Sequence, residues 1–541
     1  MALALAVGGG LLAASAQADF PYGGGAGYDV TDPSTYHLAA GRPAPDDLGG
    51  NDWKYAATPE AGNTDVNARP TELFGIRGGS VFDPSPTANT AWNVTTGRPD
   101  VAIAEFDSGV EWNDAGLVHD LRYKVKLNKG ELPVPDVTGP DLIPDDPSVV
   151  CPNYNATYDA NGDGIFNLKD YACDNRIDLT DTRRDGPANL FTPEDLIIAF
   201  SGGSFHGDGD SNGFVDDIAG WDFLDNDNNP FDDVHYGHGS GEARGGAGEV
   251  NNGGSSSPCP NCMITPFRVG DSFVADANRF AQAAMYAVDN DFQIIQEALG
   301  TLNNTRFARQ AIDYAYKHGV PVIASAADEA AQHHNYVSSL PHTIVVNSVN
   351  KYPTTDLNAP GGSPPPFAGL GITVPEEDPK SYLTFNGCTN FSSKITVSIP
   401  SSSCSSNATE VAGGIAGLIY SAALNAKEHG TLTPNPNCHL VNGDECPITA
   451  NEMRQLIATG SFGSQSQVDD VNFTSSSLAA PTPEPACGVA PAAHCTDPNG
   501  ALQTNVNAVR PIVSPPDSRS YPARKGPDQF YGYGRVNAYR G

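Results

Sequence analysis

Between Pro99 and Gly109 lies a short, mostly apolar run, Val101 to Phe106, and it constrains the fold more than any other feature of the chain. A brief apolar run closed off by Pro and Gly, without alternating polar residues, is the pattern of a strand buried on both faces. Similar runs recur in "MITPFRV" (263–269), "FQIIQEALG" (292–300), "VPVIASAA" (320–327) and "TIVVNSV" (343–349). Between two of them Phe273, Ala277, Ala281, Ala284 and Val288 repeat at three- and four-residue steps, the period of one helix face. "TRFARQAIDYAYKHG" (305–319) reads as a second helix closed by Gly319, and Thr449 with Glu452 forms a capping box that opens a third at "ANEMRQLIATG". Strands that alternate with helices bury both faces as a parallel sheet covered on each side, so the fold class expected is α/β.

The rest of the sequence is loop-rich. Its 57 glycines and 44 prolines are scattered between apolar runs and form no single tract. Segments at about 120–200 and 429–525 carry prolines, cysteines and many acids and read as insertions into one domain spanning 71–541; residues 19–70 read as a polar lead-in. Residues 1–18, "MALALAVGGGLLAASAQA", are small and apolar and end in an A-x-A cleavage form, so we expect a signal peptide, a mature chain beginning at Asp19, and secretion to the extracellular space. No later run is long enough to cross a bilayer.

Sixty-four acids against thirty Lys and Arg give a formal net charge of -34. That balance argues against nucleic-acid and anionic-membrane binding, both of which need a basic surface, and makes cations the more natural partners. Ten cysteines fall as near neighbours, Cys151 with Cys173, Cys259 with Cys262, Cys388 with Cys404, Cys438 with Cys446 and Cys487 with Cys495, and an even count in an exported chain suggests disulfides. Zinc is the rival at Cys259 and Cys262, although no second pair or histidine at finger-like spacing accompanies them.

In an α/β sheet, reactive groups gather where strands end and helices begin. Ser406, in "SSCSSNATEVAGGIAGLIYSAA" (402–423), stands just before an apolar helical segment. Serine needs an adjacent base, and the base an orienting carboxylate. Asp107 ends the first strand, and His238 lies in the glycine-flanked "HYGHGSGEARG". Taken singly these are a turn former, a loop histidine and a helix cap; together they stand in the order Asp, His, Ser.

On these residues the chain resembles the subtilisin-like serine proteases, the subtilases (peptidase family S8). "VAIAEFDSGV" resembles the aspartate motif of that family, "HGSGEAR" its His-Gly-Thr motif, and "CSSNATEVAGGIAG" its Gly-Thr-Ser-Met-Ala-x-Pro motif. The resemblance implies a subtilisin-like parallel sheet flanked by helices, with Asp107 orienting the imidazole, His238 as general base and then acid, and Ser406 as nucleophile. It also implies that Ala298, Leu299 and Gly300 border the peptide cleft, and that "YGYGRVNAY" closes the domain. Two positions depart from the family pattern. Asp328 stands where an asparagine usually donates to the oxyanion; an ionised aspartate can only accept, so the protonated acid would have to serve. Cys404 stands where the serine motif has glycine.

The acidic surplus has a specific outlet. "DANGDGIFNLKD" sets Asp159, Asn161, Asp163, the Ile165 carbonyl, Asn167 and Asp170 at the ligand positions of a calcium loop, with Gly164 at its turn. "DGDSNGFVDD" repeats the beginning of that arrangement with Asp208, Asp210, Asn212, the Phe214 carbonyl and Asp216. Plain turn chemistry is the other reading of such runs. The expectation is therefore a secreted, monomeric endopeptidase acting on protein or peptide substrates and stabilised by structural Ca2+. The alternatives are a catalytically impaired subtilase-fold binding or cell-surface protein, motivated by Asp328 and Cys404, and a calcium-dependent adhesion protein.

Overall fold

The computed structural model describes residues 95–249, 257–272, 274–301, 303–333, 335–350, 388–401, 403–459, 529–534, 536 and 538. The expected signal peptide, the lead-in, Phe273, the Cys487 and Cys495 pair and residues 460–525 of the second insertion lie outside the described residues.

The strands are β1 (Ala102–Asp107), β2 (Trp221–Asp222), β3 (Met263–Arg268), β4 (Val274–Ala275), β5 (Ile294–Glu297), β6 (Gly300–Thr301), β7 (Val322–Ser325), β8 (Thr343–Asn350) and β9 (Ile395–Ser401). Seven of them form one sheet in the order β2-β3-β1-β5-β7-β8-β9, every pairing parallel, while β4 and β6 form a two-stranded ladder. After β1 the chain runs to the sheet edge as β2, returns as β3 between β2 and β1, and then crosses to β5 on the other side of β1. Such a reversal opens a crevice at the carboxyl ends of the two central strands, and Asp107 and Glu297 end those strands.

The helices are α1 (Ala115–Leu121), α2 (Pro193–Phe200), α3 (His238–Ala247), α4 (Ala277–Asp289), α5 (Arg306–Lys317), α6 (Tyr336–Ser339), α7 (Ser405–Glu428) and α8 (Ala450–Thr459). Strand alternation sorts the core into two layers. Ile103, Ile264, Ile294 and Val397 pack with Ala243 of α3 and with Ala408, Val411 and Ile415 of α7. Ala104, Phe106, Ile295 and Val322 pack on the other side with Phe280 and Ala284 of α4 and with Ala308 and Ile312 of α5. Each large side chain so buried is worth about 1.5–3 kcal/mol of transfer free energy.

The helix ends follow the sequence signals. Asp276 caps α4 by accepting from Asn278 N at 2.7 Å, and Thr305 caps α5 by accepting from Ala308 N at 3.1 Å. Gly319 has φ +74° as α5 ends, the left-handed turn that glycine adopts without penalty. The Thr449 and Glu452 box is closed in both directions, by Glu452 N to Thr449 Oγ1 at 3.1 Å and Thr449 N to Glu452 Oε2 at 2.7 Å.

The first insertion contributes to the core. Leu132, Ile143, Tyr171, Phe191 and Phe200 belong to the same buried cluster as Ile103 and Ile264, because aliphatic and aromatic residues are interleaved among its acids. Cysteine sulfurs sit at disulfide distance in the pairs Cys151 and Cys173, Cys259 and Cys262, Cys388 and Cys404, and Cys438 and Cys446. Among the described residues no helix is long and apolar enough to cross a membrane.

Candidate active site

Asp107 is the last residue of β1 and is fully buried. Its Oδ1 accepts from His238 Nδ1 at 2.8 Å and from Ser108 N at 2.7 Å. An ionised carboxylate only accepts, so the Nδ1 proton lies between the pair and leaves Nε2 free to receive another.

His238 is the first residue of α3, entered through Gly237 at φ 73°. Buried Asp232 holds that entry by accepting from Gly237 N at 2.7 Å, Tyr236 N at 3.2 Å and Ser108 Oγ at 3.0 Å. A Cβ at Gly239 would lie 3.0 Å from Asp107 Cβ, and glycine there lets the helix approach β1 closely. The Tyr236 ring stacks on the imidazole with centroids 5.6 Å apart. Burial opposes the imidazolium, but the charge and hydrogen bond of Asp107 outweigh it, and His238 is lifted to about 10.

Helix α7 begins with two adjacent hydroxyls that face different neighbours. Ser406 is half-buried, and its Oγ donates to the Ala298 carbonyl at 3.1 Å. Ser405 is fully buried; its N–H and Oγ donate to Asp328 Oδ1 at 2.9 and 2.5 Å, and its Oγ also meets Ser325 Oγ at 2.7 Å. Asp328 follows Ala327, which has φ 64°, a left-handed conformation that costs an alanine energy and must be held by its surroundings. Asn390 holds it, donating its N–H to Ala327 O at 2.8 Å and its Nδ2 to Ala326 O at 3.0 Å. Burial pushes the Asp328 carboxyl up to about 6, against the pull of its Ser405 hydrogen bonds.

The structure thus joins Asp107 to His238, and brings Asp328 near enough for its charge to act on the imidazole. It sets Ser405, which the sequence reading passed over, between Ser406 and Asp328. A signal for it exists: Ala408, Val411, Ala412 and Ile415 recur at helical steps, and that phase extended backwards puts Ser405 on the buried side. Asp232 was also missed, because an aspartate six residues before the histidine reads as a turn former. Of the residues expected to border the cleft, Ala298 offers its carbonyl, whereas the Leu299 side chain is buried in the α4 and α5 layer and Gly300 is tied into the β6 ladder.

In the first acidic loop Asp159, Asn161 and Asp163 curl together, with Asp163 N donating to Asn161 Oδ1 at 2.9 Å and Gly164 N to Asp159 Oδ1 at 3.3 Å. Ile165 N donates to Asp163 Oδ1 at 2.8 Å, and Asn167 accepts from Lys169 N at 2.8 Å. Asp170 is spent differently: it accepts from Ala160 N at 2.7 Å and Asn167 N at 2.9 Å, stapling the loop from inside. In the second loop Asp208 accepts from Asn212 N at 3.0 Å, the Phe214 ring packs against Trp221 and Tyr286, and Asp216 turns to His206 Nδ1 at 2.7 Å. Asp210 instead converges with Asp217 and Glu131, whose carboxylate oxygens lie within 4.8 Å of one another. Asp217 and Glu131 lie outside the loop pattern, the latter far from it in sequence.

Comparison with known proteins bears on this geometry. The family model described as "Subtilase family" matches residues 98–534. Thermitase of Thermoactinomyces vulgaris is 30% identical over 211 residues, which cover 39% of this chain and 69% of that protein. The thermophilic serine proteinase of Bacillus sp. (strain AK1) is 32% identical over 141 residues, 25% of this chain and 34% of that protein. Among solved structures, a lanthipeptide protease aligns over 83% of this chain and 89% of its own at 14% identity, with a TM-score of 0.36.

Proposed function

Because the chain belongs to the subtilase family, we propose that it is a serine endopeptidase that cleaves peptide bonds through an acyl-enzyme, with Asp107 and His238 moving the proton. The observation that carries this reading is the 2.8 Å contact between His238 and a fully buried carboxylate, with Asp328, the acceptor of the Ser405 hydroxyl at the start of α7, close enough for its charge to act on the imidazole. In the reaction, the serine oxygen attacks the scissile carbonyl carbon while His238 Nε2 takes its proton. Asp107 stabilises the imidazolium, which then protonates the leaving amine. Water, deprotonated by the same imidazole, releases the acid product and restores the hydroxyl.

Two serines compete for the nucleophile's role. Ser406 is the more accessible and lies against the cleft strand; Ser405 carries the N–H that faces the oxyanion position occupied by Asp328. Fluorophosphonate labelling of the full chain, mapped by peptide mass, separates them. Labelling lost in Ser406→Ala and kept in Ser405→Ala assigns Ser406, and the reverse assigns Ser405. No labelling of either in a folded chain rejects the endopeptidase.

A second reading, a subtilase scaffold that binds rather than cleaves, is favoured by one contact. An ionised Asp328 occupies the Ser405 N–H that an oxyanion would need and adds a repelling charge. Only the protonated acid donates, so turnover on this chain favours conditions in which Asp328 keeps its proton.

Calcium is proposed as a structural cofactor in the acidic loops, acting outside the cleft of a secreted enzyme. The donor sets fit in part. Asp159, Asn161, Asp163 and the Ile165 carbonyl would hold an ion in the first loop, and Glu131, Asp210 and Asp217 form an all-oxygen set in the second. A bound ion would offset the repulsion of acids packed closely together. Chelation lowering the melting temperature, reversed by added Ca2+, is the expected result; an unchanged melting curve removes calcium from the account.

A further inference from the structure

Glu105 precedes Asp107 by two residues on β1, so both side chains leave the same side of the strand, toward α3. On α3, His238 and Glu242 are one helical turn apart and share a face. The packing of β1 on α3 therefore makes two successive rungs, Asp107 with His238 at the mouth and Glu105 with Glu242 beneath. Glu105 is 1% exposed, and neither of its oxygens has a hydrogen-bond partner. The outer oxygen of Asp107, Oδ2, is likewise buried and without a donor.

We infer that Glu105 is a positioning residue for the reaction: held as the neutral acid, it donates its proton in a hydrogen bond to Asp107 Oδ2 and so fixes the carboxylate that orients His238. Other groups around it do not meet this need. Glu242, on α3, is an acid whose charge adds to the repulsion at Glu105, and Glu410, on α7, is met by Asn407 Nδ2. Gln296, next to Glu105 in register on β5, donates its Nε2 amide to the Glu242 backbone carbonyl at 3.3 Å. Glu297 projects from the opposite side of β5. Arg268, next to Asp107 in register on β3, is spent on Asp222, Asp225, Asp233 and Asp271. Burial, with the charges of Asp107 and Glu242, drives the Glu105 carboxyl well above its usual range, which keeps the proton available. A buried carboxyl with no partner costs stability, and a donor role beneath the triad accounts for its retention there.

The inference rests on Asp107 and His238 being the reacting pair, and its test reads that pair directly. The downfield proton resonance of His238 Nδ1–H, assigned by its loss in His238→Ala, is followed with pH in the full chain. In the native chain the resonance should disappear as Glu105 ionises. Glu105→Gln, which donates at every pH, should carry it about one pH unit or more further into the alkaline range. Glu105→Leu removes the donor and should lower kcat about 10-fold at unchanged KM. If the Glu105→Gln resonance titrates as in the native chain, the inference is overturned, even if Glu105→Leu fails to fold. If neither serine reacts with fluorophosphonate, the endopeptidase reading fails while the resonance still decides the role of Glu105.

Discussion

The first insertion and the interface between β1 and α3 both bury acids, and they treat them in opposite ways. In the insertion every buried carboxylate is met. Asp195 pairs with Arg184 and accepts from Thr192 N at 2.8 Å; Asp174 pairs with Arg176 at 2.5 Å; Glu194 accepts from Asp185 N and Gly186 N at 2.8 and 2.9 Å. Asp146 takes Tyr123 Oη at 3.0 Å and Lys169 Nζ at 3.3 Å. On the central strands, Glu105 of β1 and, on the other face of the sheet, Glu297 of β5 have side-chain oxygens without a hydrogen-bond donor. Burial raises carboxyls in both regions, but only in the insertion do donors and cations pull substantially the other way. Acids that are met act as struts for a loop with little regular structure. Acids left unmet on the central strands are driven by burial toward the protonated form.

Neutral substitutions can break that contrast, and the largest effect belongs to the struts. Asp195→Ala leaves the Arg184 guanidinium buried without its counterion, which costs about 3–5 kcal/mol of folding free energy. Urea unfolding of the full chain measures it, and a loss no greater than that of a surface substitution would erase the distinction between the regions.

On the catalytic side, removing charge should help. Asp328→Asn keeps an acceptor for Ser405 N–H and adds a permanent donor at the oxyanion position, so kcat on a peptide substrate should rise about 100-fold or more. The pH profile should change with it. The Asp328 carboxyl, pushed up to about 6 by burial, gives up its proton as pH rises through that value. The native chain should lose activity across that range through Asp328, and the variant should not. A drop in kcat would show that the carboxylate itself serves the reaction.

Glu297 tests the same idea through stability. Its folded carboxyl lies well above the usual glutamate range, chiefly through burial and then the charge of Asp107, so the folded state holds a proton that the unfolded chain releases. Its contribution is complete below the unfolded value of about 4.3 and disappears as pH climbs toward the folded value. Glu297→Gln should flatten that decline and stabilise the chain at neutral pH by about 1 kcal/mol or more. Parallel urea midpoints for both chains from acid to neutral pH would refute it.

How far these regions could be read in advance follows from the range of the signal. Strands β1, β3, β5, β7 and β8 were legible because each is a local run of apolar residues, and helices α4 and α5 because their period is local too. Strand β9 was not: "ITVSIPS" mixes serines and a proline with its apolar residues, and its inner serines are satisfied only by partners such as Asn347, which meets Ser398 Oγ at 2.5 Å. At the site, Asp107 and His238 stand out in their motifs, whereas the split between Ser405 and Ser406 depends on where Asp328 points. In sequence Glu105 is only a polar residue inside an apolar strand, and nothing before the packing of α3 marks it as lying next to Asp107 and His238. Asp217, and not Asp216, converges with Asp210 and Glu131, since Asp216 adopts φ 59° and turns to His206.

The smallest effect is expected at the surface of the insertion, and it shows which property of the struts matters. Asp181 accepts from Arg183 N at 2.9 Å and pairs with the exposed Arg183 guanidinium at 2.8 Å, hydrogen bonds that pull its carboxyl down to about 2. On paper this pair resembles Asp195 with Arg184. The difference is water: Arg183 stays solvated when its partner is neutralised, so nothing charged is stranded. Asp181→Asn should leave the melting temperature within experimental scatter while Asp195→Ala does not. Equal losses from the two would mean that pairing, rather than burial, holds the insertion together, and the contrast with the unmet acids of β1 and β5 would then need another cause.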